Sequence, residues 1–288
     1  MKTRTGFLAL AGVLLAVPGR PQEEGTRALW DSTFVQARPP AHKPAPAVTK
    51  VPPASRIPAA VEPAPDALVG VTVWRLRRSS AADETGTRIL VHAEKGDEEW
   101  TPERVSANAP LLEGQRFRFS IESARAGYLY VIDREQYADG SFGEPYLLFP
   151  TLKIRAGNNK VAAGTVIEIP SWDDHPPYVW LKRSRPDHVA EVLTILVAPE
   201  PLPEVQISRE PLRLDSRRVA EWERRWGAQV KRLESRAQEG KAYTVAEKAA
   251  GAGAQVLTPI DPAPQTLFLV EAKSGEALLV SVPLRIRK

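Results

Sequence analysis

The residues able to do chemistry in this chain are few and poorly grouped. Cysteine is absent, which excludes disulfides, thiol nucleophiles, Cys-ligated zinc and a lipobox anchor. Histidines stand at positions 42, 92, 175 and 188, and no HExxH or comparable pair occurs. The densest cluster is Asp173-Asp174-His175 within WDDHPP. Two carboxylates and an imidazole in succession could ligate a metal and activate water, which is the chemistry of a metal-dependent hydrolase. On a proline-bounded loop the same residues equally cap a turn. Asp133, Asp139 and Glu144 surround a glycine turn and offer oxygens to Ca²⁺, but without the DxDxDG spacing. No GxSxG, P-loop or Rossmann glycine pattern is present. The expectation is a protein that is not an enzyme, with no catalytic residue, metal or cofactor.

Binding residues are better represented. Tyr128 and Tyr130 share one face at period two, and with Tyr146 and Phe149 they could line a ligand groove. Trp222 and Trp226 lie on one helical stripe and would offer a partner contact, or dock the helix onto the domain. Trp74, Arg75, Arg77 and Arg78 with Lys182, Arg183 and Arg185 mix rings and cations as a nucleic-acid platform would. The charge balance argues against that partner. The chain has 39 Lys and Arg, and without Lys2 and Arg4 of the leader 37 remain against 35 Asp and Glu.

The elements that must position these residues begin after two appended segments. Lys2 and Arg4 precede an apolar run from Phe7 to Val17, broken by Pro18-Gly19. Residues 1–19 therefore read as a secretory signal peptide, and an uncleaved signal would leave an N-terminal membrane anchor. Residues 20–67 read as a Pro/Ala-rich disordered linker, with 9 of the 27 prolines between Gln36 and Ala67. Proline fixes φ and donates no ladder hydrogen bond, so this stretch favours extended polyproline II. At about 3.1 Å per residue it would space a domain by up to ~100 Å.

Residues 68–203 carry the strand signals. Val69, Val71 and Val73 alternate with Trp74 and Leu76 on the other face, a strand covered on both sides. Arg88–Ala93 forms a second strand and GDEEWTPERVSANAP a loop. Phe117, Phe119 and Ile121 face inward, while Arg116, Arg118 and Ser120 face water. Tyr128–Ile132, Tyr146–Phe149, Val166–Ile169, Tyr178–Lys182 and Glu191–Val197 follow, separated by Gly, Pro and Asn/Asp turns. Short strands so punctuated predict an antiparallel β-sandwich. In residues 204–288 a long amphipathic helix runs from Asp215 or Ser216 to Gly240, with Val219, Trp222, Trp226, Val230, Leu233 and Ala237 in its stripe. Thr266–Ala272 and Glu276–Ile286 then make a C-terminal β-hairpin around Ser274-Gly275, packing with the helix on the sandwich.

Gly127–Ile132, Leu147–Pro150, Asn158–Gly164 and Val166–Pro170 form an ordered series of short motifs. The series resembles the bacterial domain of unknown function 4384, found in exported or envelope-linked proteins. The resemblance covers roughly residues 68–203, implies an immunoglobulin-like accessory module and transfers no catalytic residue. The expected function is that of an exported envelope or secreted protein. It would be periplasmic or extracellular, and non-enzymatic, making contact with an envelope protein or polysaccharide and not with nucleic acid. The alternatives are a regulatory domain sensing a small ligand between the aromatic strands, and a hydrolase built on Asp173, Asp174 and His175.

Overall fold

A computed structural model describes Arg38 and residues 67–93, 96–227, 230–273 and 275–287. The expected signal peptide, His42 and all of the Pro/Ala-rich linker except Arg38 and Ala67 lie outside these residues. β1 (Leu68–Arg78) is the centre of the first sheet. Its Val69, Val71 and Val73 enter the main core, while Trp74 and Leu76 are buried on the opposite face, as the double covering predicts. β2 (Ile89–Ala93) turns into β3 (Gly96–Val105), which pairs first with β2 and then, from Trp100 onward, with β1. Residues 96–105 of the stretch expected to be a loop are thus a strand, and its pairing with β1 buries Thr101, Glu103 and Arg104.

β4 (Leu111–Leu112) and β5 (Arg116–Ser123) follow, and β5 pairs with β1 along its length. β6 (Gly127–Tyr137) crosses to the second sheet, with β7 (Tyr146–Phe149) and β8 (Lys160–Val161) beside it. β9 (Val166–Ile169) and β10 (Val179–Trp180) return to β5, and β11 (His188–Ala198) pairs with β6. After β12 (Leu212–Arg213) comes α1 (Ser216–Trp226), capped by the Asp215 side chain. β13 (Val230–Glu234), α2 (Val245–Gly251), β14 (Thr266–Val270) and β15 (Leu278–Arg287) complete the chain.

The result is a mainly β protein of two packed, largely antiparallel sheets. One has the order β10-β5-β1-β14-β13 with β2, β3 and β9 attached, the other β12-β7-β6-β11-β15-β4 with β8. β15 and β4 run parallel. Between the sheets lies a single apolar core, from Val71, Phe119 and Ile121 on one side to Val131, Phe149, Ile195 and Val280 on the other.

Two further expectations fail here. The helix ends at Trp226, with Gly227 as its cap, and Val230 and Leu233 belong to β13, paired with β14. The stripe matched a helix because Val230 and Leu233 are three residues apart, but an open strand edge offers their backbone a ladder. The C-terminal hairpin also does not form. β14 pairs with β1 and β13, whereas β15 pairs with β11 and β4 in the other sheet. Each strand fills a vacancy in a different sheet, so the chain crosses the sandwich between them.

Candidate functional site

The six contact residues proposed from sequence do not form one groove. Phe149 points into the inter-sheet core. Tyr130, on the outer face of β6, is buried with Val219 and Trp222 of α1, and Tyr128 and Trp226 pack at the margin of that cluster. The Tyr130 hydroxyl accepts a hydrogen bond from the Leu202 backbone N–H at 2.8 Å. The tyrosine face is therefore the dock for the short helix. Tyr146 stands apart at the surface.

Among the described residues neither metal candidate gathers its ligand atoms within 4.8 Å of one another. Asp174 accepts from the Ser171 backbone N–H at 2.7 Å, closing a turn, while burial pushes its carboxyl upward. Asp139 accepts from the N–H and hydroxyl of Ser141 in its own turn, and Glu144 lies 3.9 Å from Arg213. Asp133 is elsewhere, on the inner face of β6, in phase with Leu129 and Val131 of the core.

There Asp133 meets residues that no motif connected. Glu135 shares its face, and Glu191 of β11 lies opposite Glu135. A bulge leaves Val189 unpaired and sets His188 opposite Tyr137, so the fully buried imidazole joins the acidic face. His188 Nδ1 accepts from the Ser184 N–H, and Nε2 donates to the Ala190 carbonyl at 3.0 Å. Its two nitrogens look at different carboxylates, Glu135 at 4.0 Å and Glu191 at 3.6 Å. Ligand atoms of Glu135, His188 and Glu191 lie within 4.8 Å of one another, a spacing that would admit a cation.

Asp133 and Glu191 lie close enough for their charges to repel one another. Burial is the largest cause holding both carboxyls up, Asp133 at about 7 and Glu191 at about 8, with mutual repulsion adding to it. The readable signal was the phase of Asp133 and Glu135 with core residues. The bulge had none.

A second polar layer covers the outer face of the first sheet. Ser120 of β5 sits between Thr72 and Glu168, Gly70 pairs with Glu122, and Trp74 lies between Arg118 and Arg104. α2 and the segment after it close over these residues. Arg118, expected to face water, is 0 % exposed. It is paired with Glu168 at 2.6 Å, and Tyr243 also donates to Glu168. Arg104 pairs with Glu247, and Arg38 with Glu122. Trp172 stacks on Tyr243, whose ring meets Trp74 edge-on at 4.8 Å. A Cβ on Gly251 would meet the Glu168 carboxylate at 2.3 Å, so glycine is what lets α2 approach. Trp74 is therefore unavailable as a stacking platform, while Arg75 and Arg77 are engaged by Glu103 and Asp83.

The accessible surface chemistry lies at the margin of the same sheet. Arg116 lies over Trp100 at 4.8 Å, Trp180 at 5.2 Å and Tyr178 at 5.6 Å. Arg78 approaches Trp100 from one end and Lys182 approaches Trp180 from the other. The row thus alternates Arg78, Trp100, Arg116, Trp180 and Lys182, with Trp180 50 % exposed. Glu98 supplies one carboxylate, on Arg78. Tyr178 joins the row to a hollow of about 640 Å³ lined by Leu90, His92, Trp172, His175, Pro176 and Pro177. The Asp173–His175 loop separates it from a second hollow of about 620 Å³ beside Lys153 and Arg209. Among the described residues no helix is long and apolar enough to cross a membrane. No family model, curated protein or solved structure matches the chain.

Proposed function

We propose that the protein is an exported, non-catalytic interaction module, and that the row from Arg78 to Lys182 with its adjoining hollow binds an acidic polysaccharide. The observation that carries this reading is the alternation of three cations with two tryptophans at an accessible sheet margin. Sugar rings present apolar C–H faces to aromatic rings, and uronate carboxylates pair with guanidinium and ammonium groups. The hollow beside Tyr178 has the volume of a small-molecule site and is lined by rings and prolines. Export is supported by the Lys2, Arg4 and Phe7–Val17 pattern. The resemblance to the domain of unknown function 4384, and with it an immunoglobulin-like ancestry for the sandwich, points the same way.

Isothermal titration with polygalacturonate and with neutral dextran tests this. Polygalacturonate binds, with an affinity that falls as salt rises, and dextran does not. Trp180→Ala weakens binding roughly tenfold or more without changing thermal stability. Absence of polygalacturonate binding, or equal binding by Trp180→Ala, rejects the site. Preferential binding of poly-glutamate would replace the polysaccharide with an acidic protein segment.

A further inference from the structure

Arg38 comes from the Pro/Ala-rich stretch, yet its side chain is 1 % exposed. Its Nε and Nη2 donate to the two oxygens of Glu122 at 2.7 and 2.6 Å, the fork-on-fork geometry of a guanidinium and a carboxylate. Nη1 faces the carbonyls of Thr258, Asp261 and Pro262 at 3.2 to 3.4 Å. One planar cation thus satisfies a carboxylate on β5 and a row of carbonyls on the segment after α2.

Those acceptors are held by contacts of their own. The Asp261 carboxylate accepts from the N–H and hydroxyl of Thr258 at 2.6 and 2.8 Å, and the Asp261 N–H returns to the Thr258 carbonyl. The turn presenting the carbonyls is therefore fastened without help from Arg38. Gly70 and Pro264 form a wall of the slot, and a Cβ on Gly70 would meet the Pro264 ring at 2.3 Å. With Arg38 in place about 20 Å³ remains, room for no more than a water.

We infer that this slot is a guanidinium-recognition site whose resident ligand is Arg38, a side chain that fastens its own segment to the sandwich. The ligand class is an arginine carried on an extended chain. A lysine ammonium is a point charge that cannot span both Glu122 oxygens and the carbonyl row together. Because Arg38 belongs to the same chain, its effective concentration at the slot excludes weak competitors until it is removed.

Chemical rescue in the full chain tests the inference. Arg38→Ala lowers the melting temperature by roughly 5–10 °C, since it leaves Glu122 buried without its partner. Methylguanidinium at about 20 mM, a saturating concentration for a millimolar site, raises the melting temperature of Arg38→Ala and leaves the wild type unchanged. Methylammonium at the same concentration does neither, and Arg38→Ala/Glu122→Gln shows no response to methylguanidinium. Should Arg38→Ala not fold unaided, recovery of refolding from urea with methylguanidinium, compared with methylammonium, reads the same specificity. The inference is overturned if Arg38→Ala melts with the wild type, or if methylguanidinium acts on it no more than on the wild type or than methylammonium does.

Discussion

The two sheets each bury acidic side chains, and they neutralise them by different means. On the outer face of the first sheet, Glu122, Glu168 and Glu247 each face an arginine, and the three pairs lie among Trp74, Trp172 and Tyr243. On the inner face of the second, burial and mutual repulsion hold the Asp133 and Glu191 carboxyls up, so protonation neutralises them. Desolvation disfavours the charged forms of Glu122, Glu168, Asp133 and Glu191. The guanidiniums beside Glu122 and Glu168 offset part of that cost with charge and hydrogen bonds, although burial still holds both carboxyls up. Two buried carboxyls beside each other retain protons instead. The first arrangement depends on residues far apart in the chain remaining docked, and the second depends on pH.

The largest effect should come from unbalancing a pair. Glu168→Ala leaves Arg118 buried and uncompensated and should cost about 3–5 kcal/mol in urea unfolding. A loss below ~1 kcal/mol would mean that water reaches Arg118 and the layer is not sealed. Tyr243→Phe keeps the stack on Trp172 while removing the hydroxyl donor to Glu168. It should cost about 1.5–3 kcal/mol, the range for a hydrogen bond to a charged group.

The acidic pair should respond to pH in a defined direction. Its folded-state pKa values, about 7 for Asp133 and about 8 for Glu191, lie above those of an unfolded chain. The stabilisation is complete below about pH 4 and is lost as pH rises through the folded values. Asp133→Asn supplies an amide in place of the ionising carboxyl. It should flatten the decline in melting temperature between pH 5 and 8, and raise that temperature by ~5 °C at pH 8.5. A mutant curve parallel to the wild type's would show that the raised carboxyls do not govern the pH response. The smallest effect distinguishes the two modes most sharply. Arg118→Met/Glu168→Leu, which removes both charges together, should lie within about 1 kcal/mol of the wild type, because a buried pair roughly cancels its own desolvation.

The core side of the sandwich was legible because period two assigns residues to faces directly. Val69, Val71 and Val73, then Phe117, Phe119 and Ile121, fall on the inner face that alternation predicts. The same alternation assigned Arg118 to water, since it states which residues share a face and not whether something later covers that face. Here α2 and the residues after it cover it, and their short Ala/Gly-rich sequence carries no strong periodicity of its own. His188 was illegible for a different reason, because the bulge at Val189 reverses the phase. The exposed row failed to stand out because Trp100, Arg116 and Trp180 belong to three strands and meet only through pairing.

The sequence alone determined the composition of the domain and its strand-rich character, through alternation and turn chemistry that act over a few residues. It also determined the absence of thiol chemistry, through composition. Tertiary structure decided which sheet each C-terminal strand joined, and that the helix stopped at Trp226. It also decided which charged residues were buried together, including Arg38 against Glu122. Those outcomes depend on open ladder edges and buried acceptors supplied by distant parts of the chain, and no local pattern encodes what will lie opposite.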